Sequence, residues 1–245
     1  MHTILTLFKK EFRSFFTSAT GYIVLALFLL GTGLFLWVLP GGFNVLDGGY
    51  AQLDGLFTLA PWLYLFLCPA VTMRLFAEER SQGTLEVLFT RPASKWSLVI
   101  GKALSGWALV VMALLPTFVW YITLNFMAEP FGNVDHGAFW GSFIGLILLA
   151  GVYCAVGTFA SSVSSNQIVA FILAATLCFV LFYGFALVGS LVHSGDLSRI
   201  IKSFGIDDHY KSMSRGVIYS LDLLYFFLLS TLFVWLTKLQ ISKKI

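Results

Sequence analysis

Six continuous apolar stretches, at 22–39, 56–75, 103–126, 141–159, 168–192 and 219–237, constrain this chain more than any other feature. A helix needs about 20 apolar residues to cross the roughly 30 Å hydrocarbon core of a bilayer, and each run is close to that length. The runs are continuous rather than alternating, which points to helices and not to the strands of a barrel. Pro61, Pro69 and Pro116 fall inside them, as a helix bundle tolerates when neighbours satisfy the freed backbone groups. Composition agrees. Of the 245 residues, 58% are apolar and 11% are charged, and the mean hydropathy is +0.88. A chain so poor in charge lacks the polar surface of a soluble domain. The stretches between the runs are short, and no soluble catalytic or nucleotide-binding domain fits in them. The expected fold is an all-α membrane protein, with six transmembrane helices in a single domain over 1–245.

Eleven of the 15 Lys and Arg residues flank one side of these spans: Lys9, Lys10, Arg13, Arg74, Arg80, Arg91, Lys95, Lys102, Lys238, Lys243 and Lys244. The other four, Arg199, Lys202, Lys211 and Arg215, share one longer loop. The positive-inside rule then predicts a multi-pass membrane protein with both termini in the cytoplasm. Arg74, Lys102, Asp222 and Lys238 lie near span edges, where their heads are expected to snorkel toward water or headgroups. Before the first span, Ile4, Leu5, Phe8, Phe12, Phe15 and Phe16 fall on one helical face, with Lys9, Lys10 and Arg13 off it. This pattern predicts an amphipathic helix lying on the cytoplasmic leaflet, and it fits a generic interfacial anchor equally well. In the outer loop, Leu197, Ile200, Ile201 and Phe204 precede Gly205 at helical spacing. They predict one short helix, capped near Gly205 and packed on the outer mouth.

Several chemistries are excluded. The net charge of +3 is small for a nucleic-acid binder. Cys68, Cys154 and Cys178 all lie in apolar runs, which suits neither a disulfide framework nor a zinc site. No ionisable residue sits in the middle of a span, which argues against a proton relay. Signatures of zinc proteases and serine hydrolases are missing, and Gly101-Lys102-Ala103 lacks the remaining residues of a phosphate-binding loop. His2, His136, His193 and His209 are scattered, and no metal site is expected from them. Gly137, Gly141 and Gly145 recur every four residues, a spacing that lets helix backbones approach closely, within the chain or between copies.

The most informative segment lies between the second and third spans. It comprises Glu78, Glu79 and Arg80, then Gly83, Thr84, Leu85 and Glu86, then Leu88 and Phe89, then Arg91 and Pro92. Gly83 permits a turn, Thr84 to Phe89 can form a short helix, and Pro92 ends it. Leu85, Leu88 and Phe89 would share one face, opposite Glu86. Patterning alone allows a solvated loop as well as a docking helix.

The string Glu-Glu-Arg-x-x-Gly-Thr-Leu-Glu, followed by Arg91-Pro92 and Gly101-Lys102, resembles the cytoplasmic loop of type-2 ABC exporter permeases. In that family the loop is a coupling helix that docks into a groove of an ATPase subunit. The resemblance covers essentially the whole chain. More narrowly, the strings at 131–135, 137–145, 164–172 and 209–218 resemble the GldF family of gliding-motility-associated permeases. The resemblance implies a cytoplasmic ABC ATPase as partner, with a second membrane subunit or a second copy of the chain completing the transporter in the lipid bilayer. No cofactor would be bound by this chain, since ATP and magnesium belong to the ATPase. It also implies that the carboxylates of Glu79 and Glu86 meet basic or amide groups of that partner. No residue here would be catalytic. Two rivals stand beside this reading: a non-transporting scaffold or force-transducing subunit of an envelope machine, and a polytopic membrane enzyme, for which titratable groups at membrane depth are lacking.

Overall fold

The computed structural model of the chain describes residues 2–84, 94–192 and 195–243. Among these residues every regular element is helical. Five segments are long and apolar enough to cross a bilayer: Asp54–Ser81, Lys95–Met127, His136–Val163, Gln167–Leu191 and Ser220–Ser242. The N-terminal helices α1 (His2–Thr17) and α2 (Ala19–Trp37) meet at 71° and supply a sixth span if taken as one bent pair.

The helices outrun the apolar stretches. α3 (Asp54–Thr72) continues past Met73 into α4 (Arg74–Ser81), and α5 (Lys95–Leu114) begins eight residues before the third apolar run. A turn of 3-10 helix at Leu115–Thr117, carrying Pro116, joins α5 to α6 (Phe118–Met127). α7 (His136–Val163) has 28 residues, which at 1.5 Å per residue is about 42 Å. That is the thickness of a bilayer with its headgroup layers, where polar helix ends belong. Side-chain caps set several starts: Asp135 Oδ1 accepts from Ala138 N at 2.9 Å, and Asn166 Oδ1 from Ile168 N at 2.9 Å. The latter opens α8 (Gln167–Phe179), which passes through a π turn at Val180–Gly184 into α9 (Phe185–Leu191).

α7 is the axis of the bundle. Of its apolar window 72% is buried, against 22% for both Gln167–Leu191 and Ser220–Ser242. Small residues along α7, among them Gly151, Gly157 and Ser161, let the last helix, α3 and α4 approach it closely. Buried hydroxyls satisfy themselves within their own helices, as Thr72 Oγ1 does on Cys68 O at 2.8 Å and Thr158 Oγ1 on Cys154 O at 2.6 Å. Cys68, Cys154 and Cys178 are free thiols in this core.

The amphipathic helix expected at the N-terminus is α1, and it packs on α5 with Leu7 and Ile4 seated over Gly101. Leu5 is about half exposed, whereas Phe15 is fully buried. Two other expectations are corrected. The outer loop forms two helices, α10 (Gly195–Lys202) and α11 (Ile206–Ser214). Gly205 closes the turn after α10 as expected, its N–H donating to Lys202 O at 2.9 Å, and it also precedes α11. α10 buries no residue, while α11 buries Ile206, Tyr210 and Met213, an i, i+4, i+7 stripe. Asp222 does not snorkel. It lies at the start of α12 (Ser220–Ser242), buried, with Oδ1 2.7 Å from His209 Nδ1 on α11.

Gly141 and Gly145 face α11 rather than another span. A Cβ on Gly141 would strike the carbonyl oxygen of Met213, and one on Gly145 would press the Tyr210 ring at 3.1 Å. A Cβ on Gly137 would meet only Asp135 Oδ1, at 3.4 Å. Tyr210 in turn reaches across to α3. Pro61 has no N–H to give the carbonyl of Phe57, four residues earlier, and the Tyr210 hydroxyl donates to that oxygen at 2.9 Å instead. Burial pushes the Tyr210 phenol well above its usual range, so the hydroxyl keeps the proton it donates. Tyr210→Phe orphans the Phe57 carbonyl and is expected to cost about 1–2 kcal/mol, read as a lowered unfolding midpoint of the purified protein.

Candidate functional site

The candidate site is the end of the bundle that carries the chain termini and most of the lysines, termed the basic end. α4 and α5 are the two stems of the segment between the second and third spans. α4 is offset from α3 by a break at Met73, which frees the backbone N–H groups of its first turn. Ser161 on α7 fills the gap. Its Oγ accepts from Phe76 N at 3.0 Å and Ala77 N at 3.1 Å, and donates to Met73 O at 2.7 Å. Arg80 Nη1 donates to Val163 O at 3.1 Å, placing a cation on the C-terminal end of α7, where the helix dipole favours it. Arg74 lies over the Phe15 ring, 4.4 Å from its centroid, and its Nη1 is 3.4 Å from Ser18 Oγ.

Lys102 joins these parts. Its ammonium donates to Glu79 Oε1 at 2.8 Å, Glu11 Oε1 at 3.0 Å and Leu75 O at 2.7 Å. All three N–H donors are therefore used. The side chain is 2% exposed, and those of Glu11 and Glu79 are 15% and 18% exposed. One buried cation thus ties α1, α4 and α5 together. This corrects two sequence expectations. Lys102 does not snorkel, and the Glu79 carboxylate meets a lysine of its own chain rather than a partner's group. Glu11 was passed over because it interrupts an apolar face, three residues after Phe8 and four before Phe15. A lone acid on such a face, with a lone lysine inside an apolar run, is the signal that could have paired them.

Beyond Arg80 the segment leaves the bundle. Ser81, Gln82, Gly83 and Thr84 are exposed, and Gly83 takes φ +68°, a conformation open to glycine. Gln82 Nε2 is 3.5 Å from Glu78 Oε1, and Thr84 Oγ1 donates to Glu79 O at 3.2 Å. Leu85, Glu86, Leu88, Phe89, Arg91 and Pro92, expected to form the docking helix, lie outside the described residues. The chain is next described at Ser94, whose Oγ accepts from Ser97 N at 3.1 Å and caps α5. Among the described residues no group of three or more His, Cys, Asp or Glu is placed to hold a metal ion.

Residues 52–237 match the family model described as ABC-2 family transporter protein. The chain belongs to that family. No curated protein matches it. The matched region begins two residues before α3 and ends inside α12, so it takes in both stems, Lys102, Ser161 and the outer helices. α1, with Glu11, lies outside it. In this ABC-2 family protein the exposed segment is thus held by helices inside the matched region, and the third arm of the lysine clamp comes from the N-terminal helix.

Proposed function

We propose that this protein is the permease subunit of an exporter driven by a separate cytoplasmic ABC ATPase, and that residues 78–92 couple the two. The observation that supports this most directly is the Lys102 clamp. A segment that leaves the bundle at Ser81 and returns at Ser94 has both stems joined through one buried ammonium. Motion imposed on the segment is then delivered to α3–α4 and α5 together, and through Glu11 to α1. Such a joint suits a two-state bundle whose balance is set by nucleotide in a partner. In this reading ATP and magnesium are held by the ATPase, both termini are cytoplasmic, the whole chain forms one permease domain in the inner membrane, and a second membrane subunit or second copy completes the pathway. The strings at 131–145, 164–172 and 209–218 carry the finer assignment to a gliding-motility exporter.

The test is co-purification of an ATP-hydrolysing subunit with the tagged chain from its native membrane. Leu85→Ala combined with Leu88→Ala should release it, since buried interface anchors cost about 2 kcal/mol or more each when truncated. Glu86→Ala should weaken association less, and more at low salt than at high salt. Single cysteines at 82 and 164 should resist an impermeant reagent added from outside, while one at 135 reacts. Retention of the partner by the double variant, with membrane insertion normal, would remove the segment's coupling role.

A further inference from the structure

We infer that the basic end of the bundle carries a binding site for an anionic phospholipid, with its acyl chain in the groove between α5, α7 and α12 and its phosphate at Lys238. The groove holds about 330 Å³, and its walls are almost wholly apolar. On α5, Ile100, Leu104 and Trp107 form one wall stripe at i, i+4, i+7. On α12, Ser230 and Val234 face them, four residues apart. Gly151 of α7 leaves the floor open. The same stripes continue one turn further to Trp96 and Lys238, and these two residues meet: the Lys238 ammonium stands 5.3 Å from the Trp96 ring centroid. That contact pins the mouth of the groove.

Length decides what fits. From Trp96 to Trp107 α5 rises 11 residues, about 16 Å. One leaflet of a 30 Å hydrocarbon core is about 15 Å deep. The groove is therefore about one leaflet long. The Trp107 indole lines its inner part, and its Nε1 donates to Ile147 O at 2.9 Å and so brings no unsatisfied polar group into the chain's path. Charge decides which headgroup. Of the acids described at this end, Glu11 and Glu79 are committed to Lys102, and Glu78 lies 3.5 Å from Gln82 Nε2. Among the described residues Lys238 has no carboxylate within ion-pairing distance, and Lys95 and Lys243 lie at the ends of α5 and α12 on the same side of the bundle. A tryptophan at the headgroup level beside an uncommitted lysine between membrane helices is the chemistry that receives a lipid phosphate. The inference requires only that the chain spans a bilayer and is independent of any ATPase.

The experiment is native mass spectrometry of the full chain in detergent, titrated with phosphatidylglycerol and with phosphatidylcholine of identical acyl chains. The wild type should retain phosphatidylglycerol several-fold better. Lys238→Gln should lower that retention about fivefold, toward the phosphatidylcholine level. Gly151→Leu should lower retention of both lipids by filling the groove. A Cβ at that position meets only Trp107 and Ser230, at ordinary contact distances of 3.6 Å and beyond, so the variant is built on a tolerant site. Glycerophosphoglycerol, which has the headgroup without chains, should not compete. Equal retention of the two lipids by the wild type, unchanged retention in Lys238→Gln, or full competition by the chainless headgroup would overturn the proposal. So would disulfide capture of a second polypeptide by Leu104→Cys, which would make the groove a protein interface.

Discussion

Lys102→Met is expected to destabilise the protein by about 3–5 kcal/mol, the usual cost of stripping one partner from a buried ionic cluster. Methionine fills most of the space of the lysine stem, so lost packing is a minor part. What remains is two carboxylates, Glu11 and Glu79, facing each other without a cation in a pocket where neither side chain is more than 18% exposed. Like charges so placed repel, and each has lost a charge-assisted bond. The relief available is to undock α1 or to splay α4 from α5, and either breaks the joint on which coupling depends. Charge arithmetic sets the rank of the other variants. Glu11→Gln or Glu79→Gln leaves the ammonium one carboxylate and an amide oxygen, a neutral cluster, and should cost far less. Lys102→Arg keeps the charge but not the shape. A planar guanidinium cannot converge on three acceptors as an ammonium does, so rescue should be partial. The triple replacement Glu11→Gln, Glu79→Gln, Lys102→Met should recover most of the stability, because no unpaired charge is left. Unfolding midpoints in micelles of fixed composition read the whole series. A loss below about 1 kcal/mol in Lys102→Met would show that the cluster is hydrated and that α1 is held by packing alone.

Gly141→Ala should be the most damaging single-methyl addition in the 137, 141, 145 glycine triplet, at the top of the about 1–3 kcal/mol range for overpacking. The new Cβ points at the carbonyl oxygen of Met213 and lies 3.2 Å from the Cα of Gly216. Both are backbone atoms, so no side chain can rotate away. α11 must lift off α7, taking with it the Tyr210 bond to Phe57 and the His209 bond to Asp222. Gly137→Ala is the internal control. It meets nothing closer than 3.4 Å, so its effect should fall within about 0.5 kcal/mol. Gly145→Ala should lie between them, since the Tyr210 ring can give slightly. Unfolding midpoints that fall equally for all three variants would refute the close docking of α11. A smaller loss at 141 than at 137 would do the same.

The glycine triplet shows how sequence and structure divide the work. Spacing by four announces a close approach, but not what approaches. The partner is a short amphipathic helix from the outer loop, not a span, and nothing local to 137–145 encodes that. The second outer helix was itself legible as Ile206, Tyr210 and Met213 at helical spacing after Asp207 and Asp208 were allowed their place in its first turn. In sequence Gly205 reads only as a stop for the helix before it, whereas it also serves as the residue preceding the next.

Hydropathy by itself determined that this chain is an all-helical membrane protein, with five or six helical segments among the described residues long and apolar enough to cross a bilayer. The physical reason is that a bilayer imposes one strong local rule, twenty apolar residues with every backbone group bonded inside the helix, and such a rule is written in contiguous sequence. The fate of the few charges was decided by tertiary structure alone. Near a span edge, a lysine can reach headgroups or be taken up by acids from elsewhere in the fold, and both outcomes look alike in sequence. Glu11 lies 91 residues from Lys102, and only the packing of α1 across Gly101 brings the two to 3.0 Å. The same holds for Ser161 beneath Phe76, 85 residues apart, and for Tyr210 beneath Phe57, 153 residues apart. Long-range polar contacts in a membrane bundle depend on which helices lie side by side, and hydropathy, being local, does not encode that.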